Sequence, residues 1–229
     1  MFKEKGIFVI TFDDVLVHSS YNLYTYLCRN YTFYSKYLNL YKLYTKKEIY
    51  ERNNQDLIHF LFNTESFNRL SDKAKIAAMS NLYSILYADY YEHDIVNNMT
   101  ETNISIKFLK NPLLFENSGI DKIYILVKYH TEHELNYKVK FIKTVYVSDK
   151  IEIIPIKYNK QYYSIIDKRI KRWDMLITDD AETIEYLATK DMDHREIVMP
   201  KYGYNTIKPE IIELIKQKSG TLSFYEIED

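Results

Sequence analysis

The feature of this sequence that most restricts its fold is an alternation of short apolar runs with longer amphipathic segments. The apolar runs lie at 123–127, 151–156, 175–178 and 196–199, and segments with helical periodicity follow them at 132–145, 161–171, 181–189 and 209–218. Neighbouring parallel strands need a connection long enough to hold a helix, whereas antiparallel strands can be joined by tight turns. The alternation therefore predicts an α/β fold with a doubly wound parallel sheet.

A fifth apolar run, at residues 6–12, precedes this region and predicts a buried first strand. Residues 20–95 contain no glycine or proline, and their apolar side chains recur at spacings of three and four. This pattern predicts three or four helices, with breaks near 53–54 and 63–66, and a further helix is expected at 103–109. We therefore expect an α/β core formed by residues 1–16 and 101–229, into which residues 17–100 are inserted as a helical cap.

The charge and the single cysteine exclude several functional classes. Lys and Arg total 31 against 32 Asp and Glu, so a net charge of −1 argues against nucleic acid or anionic membrane as a partner. One basic cluster, 168–172 beside Trp173, is interpreted as a helix C-terminus, with contact to phosphate as the alternative. Cys28 alone forms no intrachain disulfide, and no apolar run reaches the ~18 residues of a membrane span.

The composition also carries a hint about origin. The chain has 24 tyrosines and only 4 glycines, and an excess of Lys, Tyr, Asn and Ile is what an AT-rich coding sequence produces. This bias suggests a virus, a phage or another organism with AT-rich genes. We expect a cytoplasmic protein, located in the host cytoplasm or the virion if it is viral.

Two predicted strands end in paired acids. Asp13 and Asp14 follow the first run, and Asp179 and Asp180 follow the run at 175–178. If these strands are neighbours in a parallel sheet, the acids meet at its carboxyl edge, where open α/β sheets bind their ligands. Clustered carboxylates need protons or a cation, and oxygen ligands favour Mg²⁺. The alternative interpretation is that each acid only caps the helix that follows it.

On these residues the sequence resembles the haloacid dehalogenase (HAD) superfamily of phosphohydrolases. The first motif of that family is an apolar strand, a nucleophilic Asp, one further residue, an acid/base Asp and usually Gly. Here Asp13 matches the acid/base position, but Thr11 stands at the nucleophile position and Asp14 at the glycine. The fourth motif, a strand that ends in paired acids, is matched by Asp179 and Asp180.

The second and third motifs of the family bind the phosphoryl group. The second should place a Ser or Thr at the end of the run 123–127, where this chain has Val127 followed by Lys128. The third supplies a lysine ahead of the fourth motif, and Lys160 is the candidate, with Lys157 as the alternative. The resemblance thus implies a HAD-like (Rossmannoid) core with a helical C1-type cap over the carboxyl edge.

The resemblance also implies a site whose chemistry is altered. Its candidate residues are Asp13, Thr11 and Lys160 as catalytic groups, Val127 and Lys128 at the phosphate position, and Asp13, Asp179 and Asp180 as Mg²⁺ ligands. A threonine needs a base to become a nucleophile and cannot form an aspartyl phosphate. We therefore expect a degenerate member that acts by binding, with a protein partner favoured over a small phosphorylated ligand. The alternative is a Mg²⁺-dependent phosphohydrolase that acts on a nucleotide or another small phosphomonoester.

Overall fold

The computed structural model describes residues 6–30, 45–50, 62, 64–81, 101–102, 105, 109–110, 119–203 and 205–226. Within these ranges no helix is both long enough and apolar enough to cross a membrane. The predicted helix at 103–109 and the predicted break near 53–54 lie wholly or mostly outside the described residues.

Six parallel strands form one sheet in the described chain. They are β1 (Gly6–Thr11), β2 (Ile120–Tyr129), β3 (Ile151–Lys157), β4 (Met175–Ile177), β5 (Glu196–Pro200) and β6 (Thr221–Tyr225). Their order across the sheet is β3-β2-β1-β4-β5-β6, and every neighbouring pair is parallel. The chain therefore adds β2 and β3 on one side of β1, and then adds β4, β5 and β6 on the other side. This is the doubly wound α/β fold that the alternation predicts, with its topological switch between β1 and β4.

Seven helices among the described residues have defined bounds; the last four lie close to their predicted positions, whereas the helix at 65–68 overlaps the break predicted near 63–66. They are α1 (Ser19–Asn30), α2 (Lys46–Tyr50), α3 (Glu65–Asn68), α4 (Glu132–Val145), α5 (Tyr162–Arg169), α6 (Ala181–Ala188) and α7 (Pro209–Gln217). Local chemistry explains where several of them begin. The Thr131 hydroxyl accepts from the Glu134 backbone N–H at the start of α4, and Pro209 occupies the first turn of α7. Residues 72–81 are also helical, and the division into a core and a helical cap at 17–100 stays a prediction.

The sheet is covered on both faces because its strands bury alternate residues against different helices. Val9, Leu126 and Leu176 point into one core with the apolar sides of α5, α6 and α7. Ile10 and Ile125 point into the other core, where they meet Phe141 and Ile142 of α4. A strand that is buried on both faces needs apolar residues at every position, which is why the runs are continuous.

Two details differ from the sequence predictions. The strand β6, at the edge of the described sheet, was not anticipated, because several of its side chains are exposed and its pattern is not strongly apolar. Trp173, which sequence reasoning offered as a stacking surface beside a basic cluster, is instead buried in the core and packs under Arg195. It is therefore not available as a platform for a nucleotide base.

The short helix α2 contacts a segment next to the carboxyl edge of the sheet. The rings of Tyr50, at the end of α2, and Tyr202, after β5, stack with their centroids 4.3 Å apart. The backbone N–H of Gly203 donates to the Tyr50 carbonyl at 2.6 Å. These contacts place the end of α2 directly against the segment that follows β5.

Candidate functional site

The two acidic pairs meet at one edge of the sheet. β1 and β4 are parallel neighbours in a register that pairs Ile10 with Ile177, so the chain leaves both strands at the same level. Just beyond, the hydroxyls of Thr11 and Thr178 lie 3.4 Å apart. The structure thus confirms the juxtaposition on which the sequence interpretation depends. The roles assigned to the individual side chains need separate evidence.

Thr11, at the nucleophile position of the resemblance, is fully buried at the end of β1. Its hydroxyl bonds to Thr178 Oγ1, which also accepts the backbone N–H of Asp180 at 3.2 Å. The hydroxyl therefore belongs to a short hydrogen-bonded ladder between two strand ends. In this arrangement it links the strand ends and is not presented to solvent as a nucleophile.

Asp13 makes an ion pair that the sequence analysis did not anticipate. Its Oδ2 accepts from the ammonium of Lys138 on α4 at 2.9 Å, and its Oδ1 accepts from the Ser19 hydroxyl at 2.7 Å. The Lys138 side chain is only 4% exposed, against 25% for that of Asp13. Both oxygens of Asp13 are therefore engaged by groups of the chain itself.

Lys138 is in turn held by a second carboxylate. Glu134, one turn earlier on α4, contacts the same ammonium at 2.7 Å, and the Lys128 carbonyl accepts from it at 2.9 Å. Burial by itself would favour the neutral amine, but the charges of Asp13 and Glu134 prevail and raise the pKa of Lys138. Burial likewise opposes the Glu134 carboxylate, yet Lys138 and His130 lower the pKa of Glu134 to about 2.

His130 contacts Glu134 on the side away from Lys138 and is partly exposed to solvent. Its backbone N–H donates to Glu134 Oε2 at 2.6 Å, and its Nδ1 lies 3.3 Å from the same oxygen. The His130 ring stacks on Tyr158 at 3.8 Å. His130 thus orients Glu134 through its backbone and its ring.

Asp14 turns away from Asp13 and is buried under the inserted region. Its carboxylate accepts from the Ser20 backbone N–H at 2.8 Å, from the Ser20 hydroxyl and from the Tyr50 hydroxyl at 2.8 Å. The Tyr202 hydroxyl donates to its backbone carbonyl. Burial is the largest influence and raises the pKa of Asp14 to about 6, although the bonds from Ser20 and Tyr50 oppose the change.

The backbone at Asp14 has a φ of 55°, which is the left-handed region. Aspartate tolerates this region better than most residues with a side chain, and glycine tolerates it freely. The position at which the resembling family carries glycine is thus one where the backbone itself favours glycine. In this chain the residue at that position also supplies a buried carboxylate.

The second acidic pair divides into two environments. Asp180 caps α6: its Oδ1 accepts the backbone N–H groups of Glu182 and Thr183, and its Oδ2 accepts the Thr183 hydroxyl at 2.8 Å. For this residue the structure therefore shows the capping geometry that the sequence analysis kept as its alternative. Asp179 is half-buried, and its carbonyl accepts from the Asn205 amide at 3.3 Å.

Two buried tyrosines, Tyr162 and Tyr225, lie near these acids. Burial, followed by the negative charges of Asp13 and Asp179, raises the pKa of Tyr162 well above its usual range. Burial, followed by Asp179 and Asp14, does the same for Tyr225, whose buried hydroxyl has no hydrogen-bond partner among the described residues. These phenols stay protonated at neutral pH and add no charge to the edge.

The two predicted phosphate-binding residues offer different groups near the acidic edge. Val127 is fully buried and carries no hydrogen-bonding side chain. The Lys128 ammonium lies over the Tyr162 ring, 3.9 Å from its centroid. Lys160 is exposed in the turn between β3 and α5, and β2 separates β3 from β1, which is a distance of roughly 10 Å along the edge. The lysine that contacts Asp13 is Lys138.

The described residues do not fit a divalent cation. Within the described ranges no three His, Cys, Asp or Glu side chains form a group that could hold a metal. The carboxylate of Asp13 already faces an ammonium, and both oxygens of Asp180 are committed to the N-terminus of α6. The expected Mg²⁺ site therefore stays a prediction that this donor arrangement does not support.

Comparisons with solved structures show similarity to other proteins. A solved structure described as a haloacid dehalogenase-like hydrolase, from Burkholderia xenovorans LB400, aligns with a TM-score of 0.45 and 12% sequence identity. The alignment covers 94% of this chain and 93% of that chain. No family model and no curated protein matches the sequence. At this level of similarity, the chemistry of the site has to be argued from this chain's own side chains.

Proposed function

We propose that this chain is a degenerate HAD-like protein that acts by binding, as an interaction or structural component, and does not turn over phosphomonoesters. The observation that carries the proposal is the state of the two residues at the catalytic positions. Thr11 is buried in a hydrogen bond to Thr178, and Asp13 is ion-paired with Lys138.

The chemistry of these two residues supports the absence of turnover. An aspartate attacks phosphorus as an anion that already exists at pH 7, whereas a threonine hydroxyl must first lose its proton to a base. Asp13 would be the nearest candidate for that base in the resemblance. Both of its oxygens already accept from other groups, one from the Lys138 ammonium and the other from the Ser19 hydroxyl. At the strand end the threonine is thus buried and the aspartate is engaged elsewhere.

The charge at the edge also disfavours a phosphorylated ligand. Asp13, Glu134, Asp179 and Asp180 contribute four carboxylates there, while Lys128 and Lys138 contribute two ammonium groups. A phosphate dianion would enter a site with excess negative charge and without the second-motif hydroxyl that could bind it. The same excess supports a protein partner over a nucleic acid.

The test is hydrolysis by the purified full chain. We expect no release of p-nitrophenol from p-nitrophenyl phosphate, and no phosphate from a panel of nucleotides and sugar phosphates, with or without Mg²⁺. Asp13→Asn serves as the matched variant, since any contaminating phosphatase would act equally in both preparations. Mg²⁺-dependent turnover that disappears in Asp13→Asn would refute the proposal and establish the alternative, a Mg²⁺-dependent phosphohydrolase.

A restoring variant tests how far the site departs from a catalytic one. Thr11→Asp combined with Val127→Thr returns the two residues that the resemblance places at the nucleophile and at the phosphate contact. We expect no gain in turnover, because Lys138 still pairs with Asp13 and the described residues hold no group of three metal-ligating side chains. A gain over the parent chain would mean that the remaining pocket is competent, contrary to the proposal.

A further inference from the structure

The strongest unexplained feature of the carboxyl edge is the set of oxygens around Lys138. Its ammonium contacts Glu134 Oε1 at 2.7 Å, Asp13 Oδ2 at 2.9 Å and the Lys128 carbonyl at 2.9 Å. An ammonium has three N–H donors, and here three oxygens from three different segments accept them. We refer to these three acceptors as the oxygen cage.

The oxygen cage contains two carboxylates, and a positive charge between them is needed to offset their negative charge. The side chains of Glu134 and Lys138 are only 3% and 4% exposed. A buried carboxylate without a counter-charge is strongly unfavourable, and removing one partner of a buried pair is much more damaging than removing both. The Glu134 carboxylate cannot turn to bulk water while α4 keeps its position, whereas the Asp13 side chain is 25% exposed.

The elements that carry the oxygen cage are fixed by other contacts. Glu134 is held from its other oxygen by His130, and Asp13 from its other oxygen by Ser19. The Lys128 carbonyl belongs to β2, whose register is set by its pairing with β3. The cage is therefore preorganised and does not form only because the lysine draws its members together.

We infer that the Lys138 ammonium is a built-in counter-cation, which takes the place at the carboxyl edge that a divalent metal would otherwise occupy. A cation supplied by the chain is always present and has no open coordination position. It offsets part of the combined negative charge of Asp13 and Glu134 without offering a site for substrate oxygens. This assignment explains why carboxylates gather at the strand ends although the described donors do not fit a metal.

The inference predicts that the wild-type chain is indifferent to Mg²⁺. Titration followed by calorimetry and by thermal unfolding should show no saturable binding and no change in Tm beyond that caused by an equal ionic strength of NaCl. Saturable Mg²⁺ binding that is lost in Asp13→Asn would overturn the inference, because it would show that the carboxylate still serves a metal.

Removing the ammonium should create a requirement for an added cation. Lys138→Ala is expected to lower Tm by roughly 10 °C, and ethylammonium or Mg²⁺ should recover a saturable part of that loss. Lys140→Ala is the matched control, since Lys140 is exposed on the same helix and the substitution changes the charge equally. Equal stability of the two variants without additives, or equal rescue of both, would overturn the inference.

A second pair of variants decides the question if Lys138→Ala does not fold. Lys138→Met leaves Glu134 buried without its counter-charge, and Glu134→Gln in the same chain removes that charge. We expect the double variant to be more stable than Lys138→Met alone. A double variant no more stable than Lys138→Met would show that the damage comes from lost packing and would overturn the inference. These readouts measure unfolding and binding, so they are independent of whether the chain hydrolyses phosphate esters.

Discussion

The buried carboxyl of Asp14 should make the stability of this protein depend on pH in an unusual direction. Burial raises its pKa from an ordinary value of 3.8 to about 6 in the folded chain. Between these values the folded state binds a proton that the unfolded state has lost, so stability falls as pH rises. The contribution is fully present below about pH 4, and above about pH 6 it has been lost.

The size of the effect follows from the same two values. At 1.36 kcal/mol for each pH unit between 3.8 and about 6, the stability lost is ~3 kcal/mol. Asp14→Asn removes the titration while keeping the size of the side chain. Asparagine also tolerates the left-handed backbone at this position, where φ is 55°.

The assay is urea unfolding of the wild type and Asp14→Asn at several pH values from 4 to 7. We expect the free energy of unfolding of the wild type, relative to that of the variant, to fall by ~3 kcal/mol across this range. Other titrating groups, such as Glu134, are present in both proteins and cancel in the difference. A constant difference would refute the reasoning. A difference that grows with pH would show that the bonds from Ser20 and Tyr50 outweigh burial.

Two further predictions concern the groups around this carboxyl and the oxygen cage. Glu134 has its pKa lowered to about 2, so it stabilises the fold above its ordinary value of 4.5, and this stabilisation is lost as pH falls toward 2. Glu134→Gln should therefore destabilise the chain at pH 7 and flatten the acid limb of its unfolding curve, as measured by denaturant titration. Tyr202→Phe keeps the ring stack on Tyr50 but removes the hydroxyl that donates to the Asp14 carbonyl. The free energy of unfolding should fall by ~1 kcal/mol in the same assay. An unchanged midpoint would show that this hydrogen bond has no net effect.

The sequence predicts the sheet well because burial on two faces leaves a clear pattern. A strand such as β1 or β2 must be apolar on both sides, and long amphipathic segments between such runs leave few arrangements besides a parallel sheet. The meeting of Asp13 with the pair after β4 follows from the same reasoning. β6 was not predicted because it lies at the edge of the described sheet, where its side chains are partly exposed and do not form a continuous apolar run.

The candidate site was predicted less well, because its decisive contact is between residues 125 positions apart. Sequence reasoning looked for a lysine just before β4 and chose Lys160, whereas Lys138 contacts Asp13. A signal was present: Glu134 and Lys138 have the spacing of a helical ion pair and share the buried side of α4 with Phe141. Charged residues on a helix are usually interpreted as its solvent-exposed face. For this reason the buried pair of Glu134 and Lys138 was not predicted.

The position of β1 at the centre of the sheet has a consequence for how the protein folds. Its partners β2 and β4 come more than 100 residues later in the chain, since Gly6 pairs with Ile120 and Phe8 with Met175. During synthesis, both hydrogen-bonding edges of the nascent β1 segment therefore stay unpaired until β2 and β4 have been made. Such high contact order slows folding and leaves apolar segments exposed to aggregation. We expect efficient production of this chain to depend on chaperones that shield β1 until β2 and β4 leave the ribosome.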